Sequence, residues 1–278
     1  MSYKIILDSC GEQSDEMFKT GLYSNVPLTL QVGETKIIDD ETFDQKAFLN
    51  LVASTSECPR SACPAPATYM EYFDGEEERV YVVTLSEKLS GSYNSAVLAK
   101  NMYEETSTKK IHVFNSKSAS PTQTIIALKI DELEKKGLSF EEIVDECEKY
   151  TDYVSTIFIL EDLGFLEKNG RLTGLKKLAV SLLNIVPIMR ATDEGSIGQK
   201  TQARGMKSAL TKMIELIVEE CKQKDSKRLI IAHCNCPERA QNVKERLNEQ
   251  LPEIEIIVNN TRGVASLYAG DGGIIVAF

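Results

Sequence analysis

Short runs rich in Ile and Val, each followed by a polar loop and then by apolar residues at helical spacing, set the rhythm of this chain. That rhythm predicts α/β units. Lys4 to Leu7 is the first such run. Val80 to Thr84 leads through a serine-rich loop into a helix reaching Met102, and His112 to Phe114 leads through "NSKSASPTQ" into a helix ending near Gly137. A further helix over "FEEIVDECEKY" precedes "VSTIFIL", which reads as a strand crossing towards the second half. The seam is expected near residue 155, giving two α/β lobes over residues 1–155 and 156–278.

The second half has a different pattern. Short helices are expected around "LGFLEKNGRL" and "GLKKLAVSLLNI", followed by "VPIMRATDEGSIGQKTQARG", in which Asp193-Glu194-Gly195 is a turn between extended segments. In the long helix that follows, Met206, Ala209, Leu210, Met213 and Ile217 share an inward face, while Lys207, Lys212 and Glu219 stay in water. Then come the strand "RLIIAHC", the helix "PERAQNVKERLNEQL" with Ala240, Val243 and Leu247 inward, and closing strands around "NNTRGVASLYAGDGG", where "YAGDGG" reads as a turn. There is no short internal repeat and no low-complexity tract.

Composition narrows the function classes. The 278 residues are 42% apolar and 27% charged, enough to bury a sizeable core without extended disorder. A net charge of -10, with acids interspersed among the bases, argues against nucleic acid as a partner, because phosphate neutralisation needs clustered Lys and Arg. No apolar run reaches the length of a spanning helix, and "MSYKIILDSC" is broken early by Asp8, so a cytoplasmic location is expected. Seven cysteines, an odd number without a secretory signal, read as free thiols rather than a disulfide framework.

The candidate chemistry is concentrated in a few loops. "TLSEKLSGSYNSAVLAK" puts Ser90, Gly91, Ser92 and Ser95 between a strand and a helix. A helix N-terminus presents unpaired N–H groups and a partial positive charge, so these hydroxyls suit an anion, but a serine there also serves as an ordinary N-cap. In "ECPRSACPAPATYMEYF", Pro59, Pro64 and Pro66 stiffen the backbone around the Ser61 hydroxyl, which either faces a ligand or satisfies its own loop. Arg204 stands at a strand-to-helix junction in "KTQARGMKSAL", within reach of an anion or of a surface carboxylate. His233-Cys234-Asn235-Cys236 lacks zinc spacing, so no metal is expected. Neither nucleotide fingerprint is present, nor G-x-S-x-G, and the only histidines are His112 and His233. No cofactor and no self-contained catalysis are therefore expected.

Taken in order, these segments resemble the DegV family of bacterial fatty-acid-binding proteins over nearly the whole chain. "IILDSC" is similar to the family's opening strand, and "VPLTLQVG" follows. "SACPAP" resembles its Thr-Ser-x-Pro-Ser loop, and "LSGSYNSA", the most specific match, resembles Leu-Ser-Gly-Thr-Tyr-x-Ser-Ala. "VFNSKSAS", "LEKNGRL", "LLNIVPIM" and "KTQARGMKSA" resemble later family motifs. The resemblance implies a parallel-sheet N-terminal lobe and a mixed-sheet C-terminal lobe with a long-chain fatty acid between them. It places Ser61 and either Ser90 or Ser92, with Ser90 favoured, at the carboxylate, and Arg204 near the head group. It also implies an ATP-binding partner kinase that phosphorylates the bound acid, this chain presenting the substrate. Tyr268 stands where many members carry histidine, which keeps a hydrogen-bond donor and gives up the histidine's titration. Leu163, Ile159, Leu182, Ile185 and Ile188 are candidate tunnel residues that core packing also claims. A stand-alone enzyme acting on an acyl or phosphorylated small molecule, using Ser90 or Ser92 with Arg204, is the alternative, and it lacks an evident base.

Overall fold

The computed structural model describes residues 2–14, 17, 19–172 and 184–278. In chain order its first elements are β1 (Tyr3–Asp8), β2 (Tyr23–Val26), β3 (Thr29–Val32), β4 (Thr35–Ile38), α1 (Gln45–Ala53), β5 (Arg60–Ala62) and α2 (Pro66–Phe73). There follow β6 (Arg79–Thr84), α3 (Ser92–Glu104), β7 (Lys110–Asn115), α4 (Pro121–Lys135), α5 (Phe140–Tyr153), β8 (Thr156–Ile159) and α6 (Gly164–Lys168). The rest are β9 (Ile185–Ala191), β10 (Ile197–Arg204), α7 (Met206–Lys224), β11 (Arg228–His233), α8 (Pro237–Gln250), β12 (Glu255–Asn260), α9 (Gly263–Ala269) and β13 (Ile274–Ala277).

The first sheet runs β2-β1-β6-β7, with every pairing parallel. A parallel sheet is stable only with both faces covered, which is why its strands are apolar at successive positions. Ile5, Leu7, Tyr81 and Val83 face α4 and α5, while Ile6, Val80 and Val82 face Tyr69 and Phe73 of α2 and Ala96 and Ala99 of α3.

The second sheet, β10-β9-β8-β13-β11-β12, is mixed: β11 and β12 are parallel and the other pairs antiparallel. One face buries Ile157, Ile159, Ile188 and Val276 beneath Ala209, Met213 and Ile217 of α7 and Ala240, Val243 and Leu247 of α8, the inward helix positions expected from the sequence. From the other face Ile230 and Ala277 enter the apolar cluster of α4, so the two sheets share one core across that helix.

Two features depart from the sequence reading. A small antiparallel sheet, β4-β3-β5, carries the proline loop, with Gly33 at φ +56° in its tight turn. Its strands are too short to show periodicity. Between the closing strands lies α9, whose first N–H groups, at Gly263 and Val264, donate to the Asp39 carboxylate at 2.8 Å each. That cap comes from a distant part of the chain, so local reading sees only a turn. The helix expected over "GLKKLAVSLLNI", with Leu182, lies outside the described residues. Among the described residues no helix is long and apolar enough to cross a membrane.

Candidate functional site

Parallel strands leave their carboxyl ends, and the loops that follow them, on one edge of a sheet, where α/β proteins gather their ligand sites. Here the loops after β1, β6 and β7 meet one face of β8, β13 and the β9–β10 hairpin around a cavity. It encloses about 780 Å³ of empty space, part of it open to solvent, and its walls are mostly apolar.

β8 lays out the wall. Side chains alternate across a strand, so Thr156, Phe158 and then Leu160, just past the strand end, face the cavity, while Ile157 and Ile159 turn to the α7 core. The tunnel candidates are corrected accordingly. Ile159 and Ile188 are core residues on the opposite face, and neither Leu163, packed beside Leu160, nor the half-buried Ile185 reaches the cavity. The apolar lining is Phe158, Leu160, Leu166, Ile197 and Ile275, joined by residues of the N-terminal loops. Periodicity shows that a strand has two apolar faces and does not say which one borders a void.

Polar groups meet at one corner. Ser61 Oγ on β5 and the Tyr268 hydroxyl on α9 lie 3.0 Å apart in a hydrogen bond. One of the two donates to the other, so among the described residues one O–H is left without an acceptor. The Arg171 guanidinium lies 5.6 Å from the Tyr268 ring centroid and donates from Nε to the Leu89 carbonyl at 3.1 Å and from Nη1 to Asn169 O at 2.6 Å. Two of five N–H donors are thereby used. Ser90, next to Leu89, lines the cavity, and its Oγ accepts from the Ser92 N–H at 3.2 Å, while its own proton has no acceptor among the described residues. Together these groups can accept an anion where an apolar tunnel ends.

Ser92 and Arg204 are not in this corner. Ser92 is fully buried, donates from Oγ to Asp8 Oδ2 at 2.6 Å and lies 2.6 Å from the Tyr69 hydroxyl, which must then be the donor. Its one proton is committed. Asp8 also accepts from Gln123 Nε2 at 2.8 Å, Leu85 N at 2.9 Å and Cys10 N at 3.2 Å, so this carboxylate anchors the serine loop from beneath. Burial pushes the Asp8 pKa up and these hydrogen bonds pull it back. Arg204 ends β10 on the exposed side, while the hairpin meets the cavity at the other end of that strand, through Ser196 and Ile197.

Arg171 is a charged residue of this corner that reading the sequence did not name. Its signal was "LEKNGRL", which matched a family motif but lies after a short helix, with nothing local to indicate where the guanidinium points. A second buried acid lies behind the wall. Glu12, 1% exposed, accepts from Ser120 Oγ at 2.6 Å through Oε1, and Oε2 has no partner among the described residues. Burial raises its pKa to about 8. Ser120 lines the cavity at φ +61°, an uncommon backbone conformation for a residue with a Cβ.

Comparison with known proteins agrees with this architecture. A family model for the DegV family of uncharacterised proteins matches residues 2–278. A DegV domain-containing protein of Streptococcus pneumoniae is 34% identical over 281 residues, covering 100% of this chain and 99% of the relative. A crystal structure of a DegV-family protein from Ruminococcus gnavus, refined with vaccenic acid, has a TM-score of 0.96 at 48% identity and covers 100% of both chains. The Streptococcus pneumoniae Fatty Acid Kinase (Fak) B3 protein loaded with linoleic acid has a TM-score of 0.89 at 32% identity, covering 100% of this chain and 99% of that one. A DegV-family protein from Eubacterium eligens loaded with heptadecanoic acid has a TM-score of 0.89 at 26% identity, covering 99% of each chain. From its full-length match and its two-sheet architecture, this chain belongs to the DegV family.

Proposed function

We propose that this protein binds one long-chain fatty acid, with its tail along the β8 face and its carboxylate at the corner formed by Ser61, Ser90, Arg171 and Tyr268. The observation that carries this reading is that those four polar side chains line a cavity whose walls are mostly apolar, with Ser61 bonded to Tyr268 and Arg171 over the Tyr268 ring. Each buried CH2 contributes about 0.8 kcal/mol, so the tail supplies most of the affinity and the corner fixes the head group. The fatty acids bound by the similar structures support the same assignment.

The protein then acts as a carrier rather than as a catalyst, in the cytoplasm. An ATP-binding partner kinase supplies the phosphoryl group: a carboxylate oxygen forms a bond to the γ-phosphorus as the bond to the ADP oxygen breaks, giving an acyl phosphate. Hydroxyls and one guanidinium at the corner hold the carboxylate in a fixed direction for that attack. The likeness to the Fak B3 protein supports the partner role. Native mass spectrometry of the purified protein, followed by denaturing lipid extraction, tests the reading. One fatty acid per chain is expected, and absence of any co-purifying or exchangeable fatty acid overturns it.

A further inference from the structure

Tyr268 is carried by a helix that cannot set its own position. α9 has 7 residues, well short of the roughly 12 that an isolated helix needs to be even marginally stable. Contacts from elsewhere therefore decide where it lies. A set of polar anchors comes from the segment just after β4, more than two hundred residues earlier in the chain. Asp39, fully buried, accepts from the Gly263 N–H through Oδ1 and from the Val264 N–H through Oδ2, at 2.8 Å each. Arg262 Nη2 donates to the Asp40 carbonyl. Gln45, the first residue of α1, donates from Nε2 to the Thr261 carbonyl at 2.7 Å and to the Ser266 hydroxyl at 3.0 Å, bracketing the first turn of α9. The approach is close: a Cβ on Gly263 would lie 2.5 Å from Asp39 Cγ and 2.8 Å from Leu30 Cδ1, so only glycine lets the helix reach this depth.

The same small sheet holds the partner of Tyr268. β3 pairs with β4 on one side, Thr29 opposite Ile38, and with β5 on the other, Leu30 opposite Ser61. Asp39 follows Ile38 directly. The carboxylate that grips α9 and the hydroxyl that meets Tyr268 at 3.0 Å are thus mounted on one three-stranded frame. On α9, Val264 and Tyr268 lie one turn apart on one face, and both line the cavity. A shift of the Val264 N–H relative to Asp39 is therefore a shift of the Tyr268 hydroxyl relative to Ser61.

Resting on the reading that places a fatty-acid carboxylate at this corner, we infer that Asp39 and Gln45 are positioning residues for it. Neither lines the cavity. They hold α9 so that the Ser61–Tyr268 pair is in place before the ligand arrives. A carboxylate at position 39 accepts both N–H groups, whereas an amide accepts one and turns an N–H donor against the other. The loss falls on the head group, because a displaced helix costs a directional hydrogen bond more than it costs non-directional apolar contact with the tail.

The test uses delipidated full-length protein and two probes with the same tail, a fluorescent fatty acid and its methyl ester. Asp39→Asn and Gln45→Ala are each expected to weaken acid binding about threefold to tenfold, the worth of one net hydrogen bond, and ester binding by no more than about twofold. Tyr268→Phe removes the hydroxyl through which they act. Either substitution added to Tyr268→Phe is expected to weaken acid binding by no more than about twofold further, where independent sites would add in full. Equal losses for acid and ester, the mark of general destabilisation, overturn the inference, as does full additivity with Tyr268→Phe. Should Asp39→Asn fail to fold, Gln45→Ala, at a half-buried helix start, decides by the same readings. A parent that prefers the acid while both variants match it removes this inference alone. A parent that binds no fatty acid, or binds the ester as tightly as the acid, removes the underlying reading instead.

Discussion

Ser90 and Ser92 share a loop, yet their protons have different destinations. The Ser92 proton goes to Asp8, and its oxygen takes a bond from Tyr69, whereas the Ser90 proton is uncommitted at the cavity wall. Ser92→Ala is expected to lower stability by about 1–3 kcal/mol, because it strands buried partners. Ser90→Ala should change stability by no more than about 0.5 kcal/mol and weaken fatty-acid retention severalfold. Urea unfolding and lipid retention on the same samples separate the two roles. Glu12 gives a pH prediction. Its pKa is raised to about 8 by burial, near the Asp39 carboxylate, itself raised to about 6, and the Arg262 guanidinium, which opposes the rise. An acid with a raised folded pKa holds its proton longer in the native state than in the unfolded chain. Its contribution therefore weakens stability as pH climbs from the ordinary carboxylate range towards 8. Unfolding midpoints of the parent should fall across that window relative to Glu12→Gln, and parallel midpoints would show that Glu12 does not titrate there.

At the scale of elements, the β9–β10 hairpin tip closes one end of the cavity by docking on the loops after β6 and β7. Ser86 Oγ donates to the Gly195 carbonyl at 2.7 Å, and a Cβ on Gly195 would lie 2.4 Å from that Oγ and 3.1 Å from the Lys117 Cα. Gly195 also has φ +87°, as Gly137 at the end of α4 has φ +79°, but nothing lies within 4 Å of a Cβ there. Gly137→Ala should therefore cost only the backbone penalty of about 1–2 kcal/mol, and Gly195→Ala should cost more because the hairpin must shift. Equal losses in thermal unfolding would show that the tip does not bear on those loops. Arg204, at the exposed end of β10 away from the cavity, serves as the control. Arg204→Ala is expected to leave folding and fatty-acid retention unchanged, and a loss of retention would return Arg204 to the head-group site.

At the scale of the whole molecule, α4 packs against both sheets, which should therefore unfold together. Ile230 and Ala277 of the second sheet share its cluster with Ile5, Leu7 and Phe114 of the first. Far-UV circular dichroism and tyrosine fluorescence, the usable near-UV probe in a chain without tryptophan, should report a single unfolding transition. Ile230→Ala should shift that transition by about 2–5 kcal/mol, and two separated transitions would show independent lobes. Much of this fold was legible in the sequence, because a strand's period of two, a helix's period near four and the polar loops between them are local signals. The inward faces of α7 and α8 and the serine and proline loops followed from them, while the parallel N-terminal sheet followed from the family resemblance. The polar lining of the cavity was legible in part. Ser61, Ser90 and Tyr268 could be named because their motifs are contiguous, whereas the role of Arg171, the commitment of Ser92 to Asp8 and the remote Asp39 cap on α9 depend on groups far apart in the chain. By itself the sequence determined which segments are strands and helices, and which loops carry donors, since those depend on neighbours a few residues away. Only the tertiary structure decided which face of β8 borders a cavity and which hydroxyl has a proton to spare, because a void and a hydrogen-bond partner exist only once distant segments are brought together.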